Sequence, residues 1–71
     1  MYELQTILFP KAKYSVSKAI EWLKSHNYNY HKIDVADHYL RFRQREPTAG
    51  GRYRTKTLPN GVELVIHYKD F

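Results

Sequence analysis

The chain has no cysteine, three prolines, three glycines and a single methionine in 71 residues. Without cysteine there is no disulfide framework, thiolate metal site or thiol nucleophile, and the composition fits a reducing, intracellular setting. Long apolar runs are missing as well. Ile7-Leu8-Phe9 and Leu64-Val65-Ile66 are the longest, far short of a membrane span or the apolar core of a signal peptide, so a soluble, unsecreted and uncleaved chain is expected. The length leaves no room for separate cofactor and substrate domains and points to one domain over residues 1–71. A mean hydropathy of −0.71 implies a thin core. Seven Tyr, three Phe and one Trp nevertheless argue against a disordered tail.

What the chain does have is positive charge in one place. Its formal net charge is +5, and the segment from Arg41 to Lys56 carries the whole excess through Arg41, Arg43, Arg45, Arg52, Arg54 and Lys56 against Glu46. All five arginines lie there, and lysine supplies the cations elsewhere. The planar guanidinium fork suits phosphate and carboxylate, so this segment is the candidate anion-binding region.

Hydrophobic periodicity orders the elements. Tyr2 to Phe9 is expected to form a strand closed by Pro10, and Lys11 to Tyr14 a loop. Val16, Ala19, Ile20 and Leu23 recur at helical spacing, with Ser15 placed to cap the start and Asn27 to end the helix. Trp22 adjoins that stripe and belongs at the core edge, while Lys18, Glu21 and Ser25 face water. Strands follow at Tyr30 to Val35 and His38 to Arg45, joined by Ala36-Asp37. In the latter, Leu40 and Phe42 alternate with Tyr39, Arg41, Arg43 and Arg45, which places three arginines and a tyrosine on one face. Glu46 to Gly51, with Pro47 and Gly50-Gly51, reads as a flexible loop.

Asn60-Gly61 is a strong hairpin signal joining strands near Tyr53 to Leu58 and Val62 to Tyr68. A two-residue turn would set Thr57 opposite Leu64, Thr55 opposite Ile66 and Tyr53 opposite Tyr68 on the core side, with Arg54 and Lys56 outside. A one-residue slip, with Pro59-Asn60 as a type I turn and Gly61 as a bulge, would turn Arg54 and Lys56 towards the apolar face. The first register is preferred for that reason. The expected fold is α+β: one helix packed on a curved, mainly antiparallel sheet of about five strands, in the order β-α-β-β-β-β.

Phe9-Pro10-Lys11, Ser15 followed by Ala19, Trp22-Leu23 and His26, Tyr39 leading into Arg41-Phe42-Arg43-Gln44 and Pro47, Tyr53-Arg54-Thr55 and Gly61-Val62 together span most of the chain. This pattern resembles a small domain found in accessory proteins of tailed bacteriophages and large DNA viruses. The most specific piece is the Arg41-Phe42-Arg43-Gln44 run after a tryptophan-containing helix. The resemblance implies a viral origin and a host-cytoplasmic or virion-associated setting, sometimes beside head-assembly or maturation modules. It carries over no catalytic residue. The Thr48-Ala49-Gly50-Gly51 loop departs from the pattern, which leaves its role open.

Function follows from the cations. Arg41, Arg43 and Arg45, joined by Arg54 and Lys56 if their strands are neighbours, with Arg52 nearby, are expected to grip nucleic-acid phosphates, and Tyr39 to stack on a base. The same residues would serve as an interface to an acidic protein surface, or capture a small phosphorylated ligand between two copies of a homo-oligomer. A solvated strand face that resists edge-to-edge aggregation is the plainest alternative, although lysine usually serves there.

Enzymatic chemistry, a cofactor and a metal site have little support. His26, His31, His38 and His67 lack the spacing of a helical zinc pair, and there is no Gly-rich phosphate loop or nucleophile elbow. Asp34, Asp37 and His38 could form an acidic cluster, but carboxylates flanking a tight turn usually stabilise the turn.

Overall fold

Ser15 starts the helix as expected: its side-chain oxygen accepts from the Lys18 amide at 3.2 Å, satisfying one of the free first-turn donors. Helix α1 spans Val16–Ser25 and ends where Asn27 adopts φ 61°. There Asn27 N–H donates to Lys24 O at 3.2 Å and Tyr28 N–H to Leu23 O at 2.9 Å. This is the paired closure of a Schellman motif, and it turns the chain back beneath the sheet. Ala19 and Leu23 are fully buried, Trp22 is half-buried at the core edge, and Val16 in the first turn is left exposed.

The computed structural model describes residues 2–46 and 50–68. Around α1 it has strands β1 (Tyr2–Pro10), β2 (Ile33–Val35), β3 (Tyr39–Arg43), β4 (Arg52–Thr57) and β5 (Glu63–Tyr68). They form one antiparallel sheet in the order β2-β3-β1-β5-β4, the α+β architecture expected from the periodicity. Strands β2 and β3 are shorter than their apolar patterns suggest, and Pro47, Thr48 and Ala49 of the expected loop lie outside the described residues.

One face of the sheet carries the helix and the core. Ile7 and Phe9 of β1 and Leu40 and Phe42 of β3 are at most 3% exposed on this helix face, with Ala19, Leu23 and Val62 completing the cluster. Phe9 is its hub. Its ring meets Phe42, Trp22 and Tyr14 edge-on at 5.5, 5.6 and 5.2 Å, the geometry aromatic quadrupoles favour. Burying each such ring is worth about 1.5–3 kcal/mol.

Two features set the positions of the polar side chains. The first is a bulge in β1 against β5: Leu4 pairs with Ile66 and Thr6 with Val65, so Gln5 is extra. Gln5 and Thr6 thereby both reach the face opposite the helix, hereafter the open face, where they line one depression. The second is the β4–β5 hairpin, which corrects the preferred register. Arg54 pairs with Ile66 and Lys56 with Leu64, one residue away from the two-residue-turn alignment. The cause is Pro59. A two-residue turn at Asn60-Gly61 needs residue 59 to donate to Val62 O, and proline has no N–H. Leu58 donates instead, at 2.8 Å, while Gly61 N–H closes on Leu58 O at 3.0 Å with Gly61 at φ 90°. This is the type I turn followed by a glycine bulge.

That register puts Arg52, Arg54 and Lys56 on the helix face. The desolvation that argued against it does not arise, because all six residues of β4 are exposed. The strands are uneven in length: β3 stops at the pairing of Arg43 with Thr6, whereas Tyr2 to Leu4 still pair with β5, and β5 with β4. A three-stranded ribbon therefore extends past the end of β3, with Leu4 still packed against the core and Tyr2 exposed beyond it.

Candidate functional site

The six cations singled out by charge, and Tyr39 beside them, fall into two groups on opposite faces. Tyr39, Arg41 and Arg43 alternate with the buried Leu40 and Phe42, so they share the open face, as the period-two pattern requires. Arg45 follows just beyond β3. Arg52, Arg54 and Lys56 lie on the helix face of β4, and β1 and β5 separate that strand from β3. The single patch expected to unite Arg41, Arg43 and Arg45 with Arg54 and Lys56 does not form.

The two groups also differ in their counter-charges. Arg43 Nη2 stands 3.7 Å from Asp34 Oδ2, Arg43 Nη1 3.7 Å from Glu46 Oε2, and Arg45 Nη1 3.5 Å from Glu3 Oε1. Lys32 Nζ meets Glu46 Oε1 at 2.8 Å. That hydrogen bond and the lysine charge, with Arg43 beyond, hold the Glu46 carboxyl below the ordinary carboxylate range. Tyr39 is tied to Glu63, whose acceptor oxygen and negative charge push its phenol above the ordinary value of 10.0. A half-buried ring held beside a carboxylate is poorly placed to stack on a base whose phosphates are negative.

On β4 the situation is reversed. Among the described residues no carboxylate lies within ion-pair distance of Arg52, Arg54 or Lys56, nor of Arg41 across the sheet. The β4 cations recur every second residue, so the row spans about 13 Å on one side of the strand. The Arg54 guanidinium lies 5.7 Å from the centre of the Tyr68 ring, and Tyr68 packs at 5.6 Å against Tyr2, which is 69% exposed. Arg52 and Arg54 thus border two cross-strand tyrosines at the end of the sheet, and Lys56 continues the row opposite Leu64. Sequence reasoning missed Tyr2 and Tyr68 because their meeting depends on β1 pairing with β5, a contact between opposite ends of the chain. A basic residue pattern on a strand beside Tyr68 was the available signal, and the register concealed it.

The open face holds a second arrangement: a depression of about 250 Å³ lined by Gln5, Thr6, Arg41, Arg43, Tyr53 and Val65. Next to it His67, 2% exposed, contacts Gly50 O through Nε2 at 2.7 Å and the Tyr53 ring at 4.8 Å between centroids. His67 is therefore a packing residue that pins the β3–β4 connection. Gly51 allows this approach: it has φ 80°, and a Cβ there would fall on Tyr68 O and His67 Nε2. Among the described residues no group of three or more His, Asp or Glu side chains could hold a metal ion. No helix among them is long and apolar enough to cross a membrane. The chain matches no protein-family model, curated protein or solved structure.

Proposed function

We propose that this chain is a small non-enzymatic binding module that takes a single nucleic-acid strand along β4. The observation that carries the reading is the row Arg52, Arg54 and Lys56, unopposed by carboxylates among the described residues and running up to the exposed Tyr2 ring, which packs on the half-buried Tyr68. Clustered guanidinium groups displace condensed counterions from phosphates, and the exposed Tyr2 ring offers a surface on which an unstacked base packs regardless of sequence. A shallow ribbon of three strands fits an extended strand better than the grooves of a duplex. The resemblance to accessory domains of tailed bacteriophages and large DNA viruses suits such a role, in a host cell or a virion.

An acidic protein segment is the second reading. The outer edge of β4 pairs with no other strand of the sheet, so an extended acidic peptide could add to it and meet the same cations. Binding of labelled single-stranded and duplex DNA and RNA, measured by fluorescence anisotropy across a salt series, separates the readings. Single strands should bind more tightly than duplexes, with a steep loss in salt. Failure of every nucleic acid to bind at low salt would leave the acidic peptide.

A further inference from the structure

The open-face depression is chemically unlike the β4 row, and its two most buried members are its most informative. Gln5 and Thr6 are 6% and 8% exposed, brought side by side by the β1 bulge. Gln5 donates its side-chain amide to Arg45 O at 2.6 Å, and among the described residues nothing donates to its side-chain oxygen. Among the described residues the Thr6 hydroxyl likewise has no hydrogen-bond partner. Neither oxygen is a sealed, unsatisfied group, and both residues line the depression. Two nearly buried polar side chains lining one recess call for a partner from outside the chain.

The recess specifies that partner. On the β3 side, Arg41 and Arg43 stand two residues apart, about 7 Å along the strand. Arg41 has no carboxylate within ion-pair distance among the described residues, and Arg43 has only the long 3.7 Å contacts to Asp34 and Glu46. With the Thr6 hydroxyl these donors suit a tetrahedral dianion. The Gln5 oxygen accepts a hydrogen bond instead, Val65 supplies an apolar floor and the half-exposed Tyr53 ring supplies a wall. A volume of about 250 Å³ falls just below the usual range for small-ligand sites.

We infer that the open face holds a site for a phosphate monoester of mononucleotide size, its phosphate between Arg41, Arg43 and Thr6 and its sugar or base over Val65 against Tyr53. The site lies within one copy of the chain, on the face opposite the β4 row, and does not depend on nucleic-acid binding there.

Amide NMR of the full chain tests it, titrated with inorganic phosphate, ribose 5-phosphate, a ribonucleoside 5′-monophosphate and the matching unphosphorylated nucleoside. The phosphorylated compounds should move the Thr6, Arg41, Arg43 and Val65 resonances at millimolar concentration, and the nucleoside should not. Tighter binding of the nucleotide than of ribose 5-phosphate would assign the wall to a base; equal binding would assign it to the sugar. Arg41→Gln and the near-isosteric Thr6→Val should each weaken binding at least about tenfold. Joint replacement of Arg52, Arg54 and Lys56 by Gln should leave it unchanged. Shifts confined to β4, no shifts with any phosphate, or undiminished affinity in a folded Arg41→Gln protein would overturn the assignment. Should either variant fail to fold, the resonance map of the unaltered chain decides.

Discussion

Replacing Arg52, Arg54 and Lys56 together by Gln removes three cations that meet no carboxylate among the described residues, while keeping their side chains long and polar. On a single strand each phosphate contact contributes about −0.7 to the slope of log affinity against log salt, so the variant's slope should be shallower by about 2. Between 50 and 200 mM salt, that difference amounts to about a 20-fold smaller loss of affinity in the variant than in the parent. The two proteins should therefore differ most at low salt and converge as salt rises. Fluorescence anisotropy with a labelled oligonucleotide measures both slopes. Folding is a separable control. All three positions are exposed, and the identifiable stabilising contact is Arg54 over Tyr68, worth about 0.5–1 kcal/mol. For a chain of this size that is a fall of several degrees in Tm, about 4–8 °C per kcal/mol. A folded variant whose salt slope parallels the parent's would refute the role given to β4, as would a larger change in slope on replacing Arg41 and Arg43.

Phe9→Ala should cost about 3–5 kcal/mol, comparable with the whole stability expected of so small a chain, and abolish the cooperative transition in urea monitored by circular dichroism. Gly51→Ala forces a side chain onto Tyr68 O and His67 at a positive φ; it should lower Tm and perturb the His67 ring resonances, whereas Gly50→Ala, with no atom near its Cβ position, should cost only the strain of its own φ. Ultraviolet titration should find the Tyr39 phenol ionising above its ordinary value of 10.0. Because its partner Glu63 favours the protonated phenol, the stability linked to Tyr39 is complete below the unfolded value near 10 and is lost as pH rises through the folded value, and Glu63→Gln should bring that phenol back toward its ordinary value.

The elements that could be placed from the residues are those whose signals are local. The helix follows from Ser15, the Ala19-Leu23 stripe and Asn27, and β3 from strict alternation around Leu40 and Phe42, which also assigns Tyr39, Arg41 and Arg43 to one face. The hairpin misled because two local signals compete. Asn60-Gly61 favours a two-residue turn, and the missing N–H of Pro59 forbids the bond such a turn needs. Weighing the prolyl nitrogen against the dipeptide would have chosen the observed register. The rest depends on contacts far apart in the chain. Nothing near Gln5 announces a bulge, and nothing near β4 tells that all six of its residues stay exposed, yet these two facts decide which polar groups line the open face and which cations stand clear of the core.

The sheet order also bears on how the chain reaches this state. Strand β1 is central, yet its two neighbours are β3 and β5, and its pairing with β5 closes a span on the order of sixty residues. Such topology slows folding, because loop-closure entropy is lost before the distant contacts form. During synthesis β1 emerges before β5 and cannot gain its second neighbour until β5 has cleared the ribosome. Ile7 and Phe9 then wait in a half-built sheet, so the nascent chain is exposed to aggregation in the interval before β5 docks.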